Sequence, residues 1–391
     1  KIHHYCLELT NQYLRFHSSV EMRINLCLAL LTSWNVVAFR LHENRLTLAP
    51  GKVSPPFRST GTILSSSTDT TSKEIETEPI CTNFNFPTQL FEIKEKAALD
   101  MISKMQRANI VVPDYISKVP VASSYVRWEA NTEIKGDPVV LIHGFDSSAL
   151  EFRRMSPLLT TGSVDNLNLG ESGRDVYVVD VLGWGFGDCS EVMDVSPQAK
   201  MDHLRAFIEQ VVLPDREKDN KKKSEDQGTS KVVLAGASLG GAIAINLATE
   251  ICPELVSKLV LIDAQGFIDG QGPSSLPMFV ARWGVSVLKT KWLRQLANQL
   301  SYFDKKTFAT EDAMLIGRLP CNMPSWERSN AEFLLSGGFV VSPNVPRVQV
   351  STLVVWGRQD EILENSFPGK FEEALGTDSD SSGRSSSSSS S

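Results

Sequence analysis

The sequence predicts an α/β fold, a mostly parallel sheet with helices on both faces, and three observations carry that expectation. Five short apolar runs recur along the chain: Val139–Ile142, Val176–Val181, Val232–Leu234, Leu259–Ile262 and Leu353–Val355. Each run is continuous rather than alternating, as strands buried on both faces require. Most are followed by amphipathic stretches long enough to serve as right-handed crossover helices. A chain of 391 residues with 41% hydrophobic and 22% charged side chains also has the apolar material for a sizeable core, which excludes wholesale disorder, collagen and coiled coil.

The first element, residues 1–86, is expected to stand outside that fold as a targeting presequence and linker. Met22 is followed by Arg23 and then by sixteen uncharged residues, Ile24–Phe39, the n-region and h-region of a signal peptide. The stretch is short for a membrane span, which needs ~20 apolar residues, and Ser33, Trp34 and Asn35 interrupt it. From Ser54 to Ser72 the chain turns Ser/Thr-rich with Asp69 its only acid, a transit-peptide composition. The tandem resembles the bipartite leaders of algae with complex plastids, in which a signal peptide ends near an Ala-Phe pair, here Ala38-Phe39. That resemblance implies a plastid (chloroplast) destination; a secretory leader or single-pass anchor is the alternative.

The folded domain is expected over 87–376. Apolar residues at helical spacing from Leu90 to Ala108 (Ile93, Ala97, Met101, Met105) predict a leading helix, and Tyr125–Glu129 a short strand. The charge-mixed run Arg216–Asp226 predicts a solvated loop between Pro214 and Ser230. A longer interruption, 265–346, is rich in Trp, Phe, Leu and Met and reads helical, as at Trp292–Leu300; between two strands it is a candidate lid. The last residues, 377–391, form a polyserine tail that cannot pack.

Four motifs carry chemistry. Gly236-Ala237-Ser238-Leu239-Gly240 follows a strand and opens a helix, the context that gives G-x-S-x-G meaning: a sharp bend exposes the serine hydroxyl at the positive helix N-terminus. His143-Gly144-Phe145-Asp146 follows the strand Val139–Ile142. A developing oxyanion needs two preorganised backbone N–H groups, and Phe145 and Leu239 are placed to supply them. His143 reads as turn scaffolding rather than as a catalytic base. Asp180-Val181-Leu182-Gly183-Trp184-Gly185-Phe186-Gly187 is a glycine-alternating turn at a strand end. Finally, Val355-Trp356-Gly357-Arg358-Gln359-Asp360 ends a late strand in an aspartate, where a Ser-Asp-His order places the acid that orients a histidine. Asp263, after the Leu259–Ile262 run, is the competing acid.

In this order and at these intervals the motifs resemble the α/β-hydrolase fold family over roughly 86–376. Asp180–Gly187, Leu261–Gln265 and Leu319–Gly338 are similar to plastid α/β-hydrolases of plants and algae. The resemblance implies a serine hydrolase of carboxylic esters, with Ser238 as nucleophile, Asp360 as orienting acid, Phe145 and Leu239 at the oxyanion, His143, Gly144, Gly236 and Gly240 as scaffold, and no metal or organic cofactor. It further implies a histidine about 25–30 residues beyond the acid, after one more strand. The six histidines are His3, His4, His17, His42, His143 and His203, and none follows Asp360. The pattern therefore runs one strand and one helix short. Either the chain is an incomplete version of an active enzyme, or it is a variant that binds a small molecule without turning it over.

Apolar side chains in the lid (Met278, Phe279, Trp283, Trp292, Phe303, Leu334) suggest a small apolar ester, such as a lipid or isoprenoid ester. A net charge of −7 without a basic stripe gives nucleic-acid binding no electrostatic support. The six cysteines lack CxxC spacing and read as reduced packing residues rather than zinc ligands or disulfides. A membrane-anchored structural protein using Ile24–Phe39 is the remaining class, excluded if the mature N-terminus lies beyond Phe39; no stable membrane span is expected in the mature protein. Oligomeric state is not legible in the sequence.

Overall fold

The computed structural model describes residues 86–376 apart from 131, 133, 161–162, 165–166, 169–171 and 221–229. The leader with its plastid or secretory destination, the polyserine tail and much of the Arg216–Asp226 run lie outside the described residues.

Seven strands form the central sheet: β1 (Met105–Ile110), β2 (Val121–Trp128), β3 (Val139–Ile142), β4 (Val176–Val179), β5 (Val232–Ala237), β6 (Val256–Ile262) and β7 (Ser351–Val355). Their spatial order is β1-β2-β4-β3-β5-β6-β7. The pairs β1/β2 and β2/β4 are antiparallel and the rest parallel. In β3, β4 and β5 the continuous apolar runs have the cause expected of them, since successive residues feed opposite cores, whereas the Leu353–Val355 run of β7 turns Leu353 and Val355 to solvent. Val140 and Ile142 of β3, Tyr177 and Val179 of β4, and Val232 and Leu234 of β5 enter one buried cluster. Val139, Leu141, Val176, Val178, Val233 and Ala235 enter the other. Each such side chain contributes roughly 1.5–3 kcal/mol on burial, so neither face tolerates a polar residue.

Helices cover both faces. α1 (Lys96–Ser103) precedes the sheet, α2 (Pro197–Phe207) continues through a π-helical turn, Ile208–Val212, into α3 (Leu213–Asn220), and α4 (Leu239–Asn246) follows β5. Between β6 and β7 lie α5 (Met278–Leu288), α6 (Lys291–Leu300), α7 (Glu311–Arg318) and α8 (Trp326–Ser336), and α9 (Phe367–Leu375) follows β7. Among the described residues β1 and β7 are the edge strands of this sheet, and Leu353 and Val355 of β7 are exposed.

Two expectations are corrected. The helix predicted over Leu90–Ala108 is a 3-10 turn (Thr88–Glu92) and α1, and the chain is already in β1 by Met105. Six residues of β1 pair with β2, and that ladder outweighs a helical periodicity that continued only by coincidence. The loop expected from Pro214 instead opens as helix, α3, because it prolongs α2 without a break.

The chain runs from β3 to β4 on one side and then to β5 on the other, so the order reverses around β3. In open α/β sheets the crevice outside the carboxyl strand ends at such a reversal is where ligands bind. Register places several residues there together. Ile142 pairs with Gly236 and with Val179, and Ala237 and Val355 both pair with Ile262. His143, Asp180, Ser238, Asp263 and Trp356 each come within a residue of those aligned ends.

Candidate active site

Ser238 stands between β5 and α4 at φ 52°, ψ −120°, a backbone conformation a non-glycine side chain adopts only when its surroundings impose it. The surroundings do. Its N–H donates to the Ile262 carbonyl at 3.0 Å, and its own carbonyl accepts from Gly241 and Gln265 at 3.0 and 2.8 Å. The flanking glycines leave no alternative residue: a Cβ on Gly236 would fall on the Gly240 carbonyl, and one on Gly240 on the carbonyl oxygen of Ile142. Gly240→Ala is therefore expected to cost roughly 3 kcal/mol or more in urea unfolding. Gly284, in mid-α5, is the internal control: a methyl group there would meet nothing within 4 Å, and Gly284→Ala is expected to stabilise by up to ~1 kcal/mol.

The His143–Asp146 turn faces Ser238. At Gly144 a Cβ would lie 3.3 Å from Ser238 Cβ and 3.7 Å from Glu151 Oε2, so glycine keeps open a corner that the serine and a carboxylate share. The Gly144 N–H donates to Glu151 Oε2 at 3.1 Å, which leaves Phe145 as the candidate oxyanion donor of this turn. Glu151 is solvent-accessible, yet desolvation by the protein around it raises its pKa, with Ser147 and Gly144 hydrogen bonds opposing. Leu239, the other candidate donor, is the first residue of α4, with its N–H at the helix's positive end.

His143 is buried, and burial pushes its pKa down to about 4. Its Nε2 accepts from the Val181 N–H at 3.0 Å and its Nδ1 bonds the Gly144 carbonyl at 2.9 Å, so the neutral ring carries its proton on Nδ1 and ties two turns together. His203, on α2, is buried against Ser123. Both described histidines are thus engaged away from Ser238.

Two carboxylates stand at the far side. Asp263 follows β6 at φ 40° and accepts from the Gly357 N–H at 2.6 Å; desolvation raises its pKa, and the charge of Asp360 adds to the rise. Asp360 closes the turn after β7 and accepts from the Ile362 and Leu363 N–H groups at 2.7 and 2.9 Å. The preferred and the competing acid are therefore near enough for the charge of Asp360 to disfavour ionisation of Asp263.

Sequence reasoning missed the residue that joins the insertion to the site. Asp146, at φ 51° and 6% exposed, accepts from Trp326 Nε1 at 2.6 Å and Asn330 Nδ2 at 3.2 Å and is ion-paired to Arg294. Trp184 donates to Asn330 at 3.0 Å and packs edge-on against Phe145, with centroids 5.4 Å apart. Phe333 closes the cluster at 5.0 Å from Trp184. The only early signal was the residue type, since aspartate is enriched at positive φ. By contrast, Met278, Phe279, Trp283, Trp292 and Phe303, expected to face a substrate, are solvent-exposed, and of that group Leu334 alone is buried.

Beneath this cluster Lys200 is fully buried, its Nζ donating to the Leu182 carbonyl at 2.5 Å and lying 3.8 Å over the Trp184 ring. Burial lowers its pKa from 10.5 to about 7. Between those values the unfolded chain holds a proton that the folded one has lost, so stability rises with pH, by up to roughly 1.4 kcal/mol per unit. Lys200→Met is expected to flatten that rise; urea midpoints of both proteins at pH 7 and 9 test it, and equal slopes refute it.

Among the described residues no group of three His, Cys, Asp or Glu could hold a metal, and no helix is long and apolar enough to cross a membrane. Cys189, Cys252 and Cys321 are buried free thiols.

Comparison with known proteins agrees with this architecture. Residues 139–381 match the family described as "Alpha/beta hydrolase family". The chain is 32% identical over 286 residues to the alpha/beta hydrolase domain-containing protein VTE7 of Arabidopsis thaliana, covering 73% of this chain and 78% of that one. It is 30% identical to 2-hydroxy-6-oxo-6-phenylhexa-2,4-dienoate hydrolase of Burkholderia cepacia over 61% of this chain and 77% of the relative. Lipase 3 of a Moraxella strain is 23% identical, over 60% and 66%. A solved esterase from Exiguobacterium antarcticum aligns at 17% identity and TM-score 0.47, covering 68% of this chain and 87% of that one.

Proposed function

The chain belongs to the alpha/beta hydrolase family, and from that premise we propose that it is a serine hydrolase of small apolar carboxylic esters. One observation carries the reading: Ser238 is held at φ 52° at the head of α4, across the open Gly144 corner from the Phe145 turn. In the proposed reaction Ser238 attacks the ester carbonyl. The N–H groups of Phe145 and Leu239 receive the developing oxyanion, and Asp360 would orient an imidazole that takes the serine proton, a group that none of the six histidines supplies after Asp360 in this sequence. Residues 265–346 act as the lid, seated on the site through Asp146, and the chain is delivered to the plastid by its leader. Relatives that are hydrolases, a lipase among them, support the reaction class.

A second reading has its own observation. Neither described histidine reaches Ser238, and a serine without a base is a poor nucleophile. The protein would then bind esters and release no product. Incubating it with p-nitrophenyl esters of increasing acyl length and with a fluorophosphonate probe separates the two. Product release with labelling at Ser238 supports the hydrolase; saturable binding with neither supports the binder.

A further inference from the structure

We propose that the helical insertion docks the protein on the surface of an anionic lipid bilayer through the outward stripes of α5 and α6 and the turn that follows them. The inference concerns a surface away from Ser238 and holds whether or not the serine turns over.

Exposed aromatic side chains are concentrated there. Among the described residues seven are exposed, and five of them, Phe279, Trp283, Trp292, Phe303 and Phe308, fall within thirty positions of one another. Phe279 is 74% and Phe303 72% exposed, so most of each residue meets water. Soluble chains scatter such residues singly; a cluster marks an interaction surface. Helical geometry aligns them. On α5 the buried residues Ala281 and Val285 turn inward, which puts Phe279, Arg282, Trp283 and Ser286 on the opposite, exposed stripe. On α6 no residue is buried, and Lys291, Trp292, Gln295 and Leu296 form its exposed stripe.

Charge selects the partner. The chain as a whole is −7, yet residues 278–308 hold Arg282, Lys289, Lys291, Arg294, Lys305 and Lys306 against Asp304 alone. Arg294 is turned inward to Asp146. Arg282, Lys291 and Lys305 pair with Glu327, Glu311 and Glu361, all between side chains that reach solvent, where an ion pair is worth little. Aromatic rings interleaved with cations on consecutive amphipathic helices match the headgroup level of a membrane: the rings enter the acyl boundary and each cation near an anionic surface adds ~1 kcal/mol.

Flotation of the full-length protein with vesicles tests the proposal. The expected result is binding to phosphatidylcholine/phosphatidylglycerol vesicles that weakens with salt and is weaker on phosphatidylcholine alone, with a blue shift of tryptophan emission. The triple variant Phe279→Ser/Trp283→Ser/Trp292→Ser, which touches only exposed positions, is expected to bind about tenfold more weakly with unchanged circular dichroism and melting temperature. Lys289→Glu/Lys306→Glu is expected to abolish the preference for anionic lipid, and Phe91→Ser, an exposed aromatic far along the chain, to change nothing. Absence of binding at low salt, or binding that the triple variant retains in full, overturns the proposal; the latter would place membrane affinity in residues 24–39. Self-association of the wild type without lipid binding overturns it in favour of a second copy of the chain.

Discussion

Replacing Asp146 with alanine is expected to destabilise the protein by about 3–5 kcal/mol and to loosen the insertion from the sheet. Asp146 is buried and receives the Arg294 guanidinium, Trp326 Nε1 and Asn330 Nδ2. Removal of the carboxylate strands a charge on Arg294, which is largely shielded from water, and breaking a buried pair from one side costs far more than the pair contributes when intact. The double variant Asp146→Ala/Arg294→Met is accordingly expected to be less damaged than Asp146→Ala alone, because no unpaired charge remains. Urea midpoints give the energies. Amide exchange should rise selectively in α6 and α8, which carry the partners, and stay protected in β3 and β5. A loss under ~1 kcal/mol, or uniform exchange across the sheet, would refute the anchor. The position matters for chemistry because Phe145, the candidate oxyanion donor, is the preceding residue and packs on the same cluster.

The parts of this architecture legible in the sequence are those fixed by local demands. β3, β4 and β5 announce themselves because burial on both faces excludes polar residues from every position. The Ser238 turn does so because two glycines stand where any Cβ meets backbone. β1 did not: Met105–Ile110 includes Gln106, Arg107 and Asn109, poor strand formers on an edge, and only pairing with β2 makes it a strand. Asp146 was illegible as an anchor because its partners lie 148, 180 and 184 residues later. The sequence preferred Asp360 to Asp263 from its place after a late strand, and the fold does not part the two. Both follow strands, and register sets those strands side by side with their ends level at Ile262 and Val355, so each acid reaches the same end of the sheet.

Ser238→Ala is expected to have the largest functional effect, and its size decides what the protein is. If a histidine completes the site, removal of the nucleophile lowers ester turnover by about 10⁶, roughly 8 kcal/mol of transition-state stabilisation, and abolishes fluorophosphonate labelling. Affinity for a non-hydrolysable ether analogue should stay within about threefold of wild type, because a hydroxyl-to-methyl change alters little of the apolar contact area. If no imidazole reaches Ser238, the wild type turns over at the rate of Ser238→Ala, and the two proteins bind the analogue alike. His143 cannot rescue the reaction: it is neutral at physiological pH, but its Nε2 lone pair is held by the Val181 N–H, and freeing it would dismantle the turn that presents Phe145. His143→Asn is therefore expected to act through the fold, lowering stability and both binding and turnover together, whereas Ser238→Ala should separate turnover from binding. A Ser238→Ala protein that keeps wild-type turnover above background would place the chemistry on another residue and end the serine-hydrolase reading.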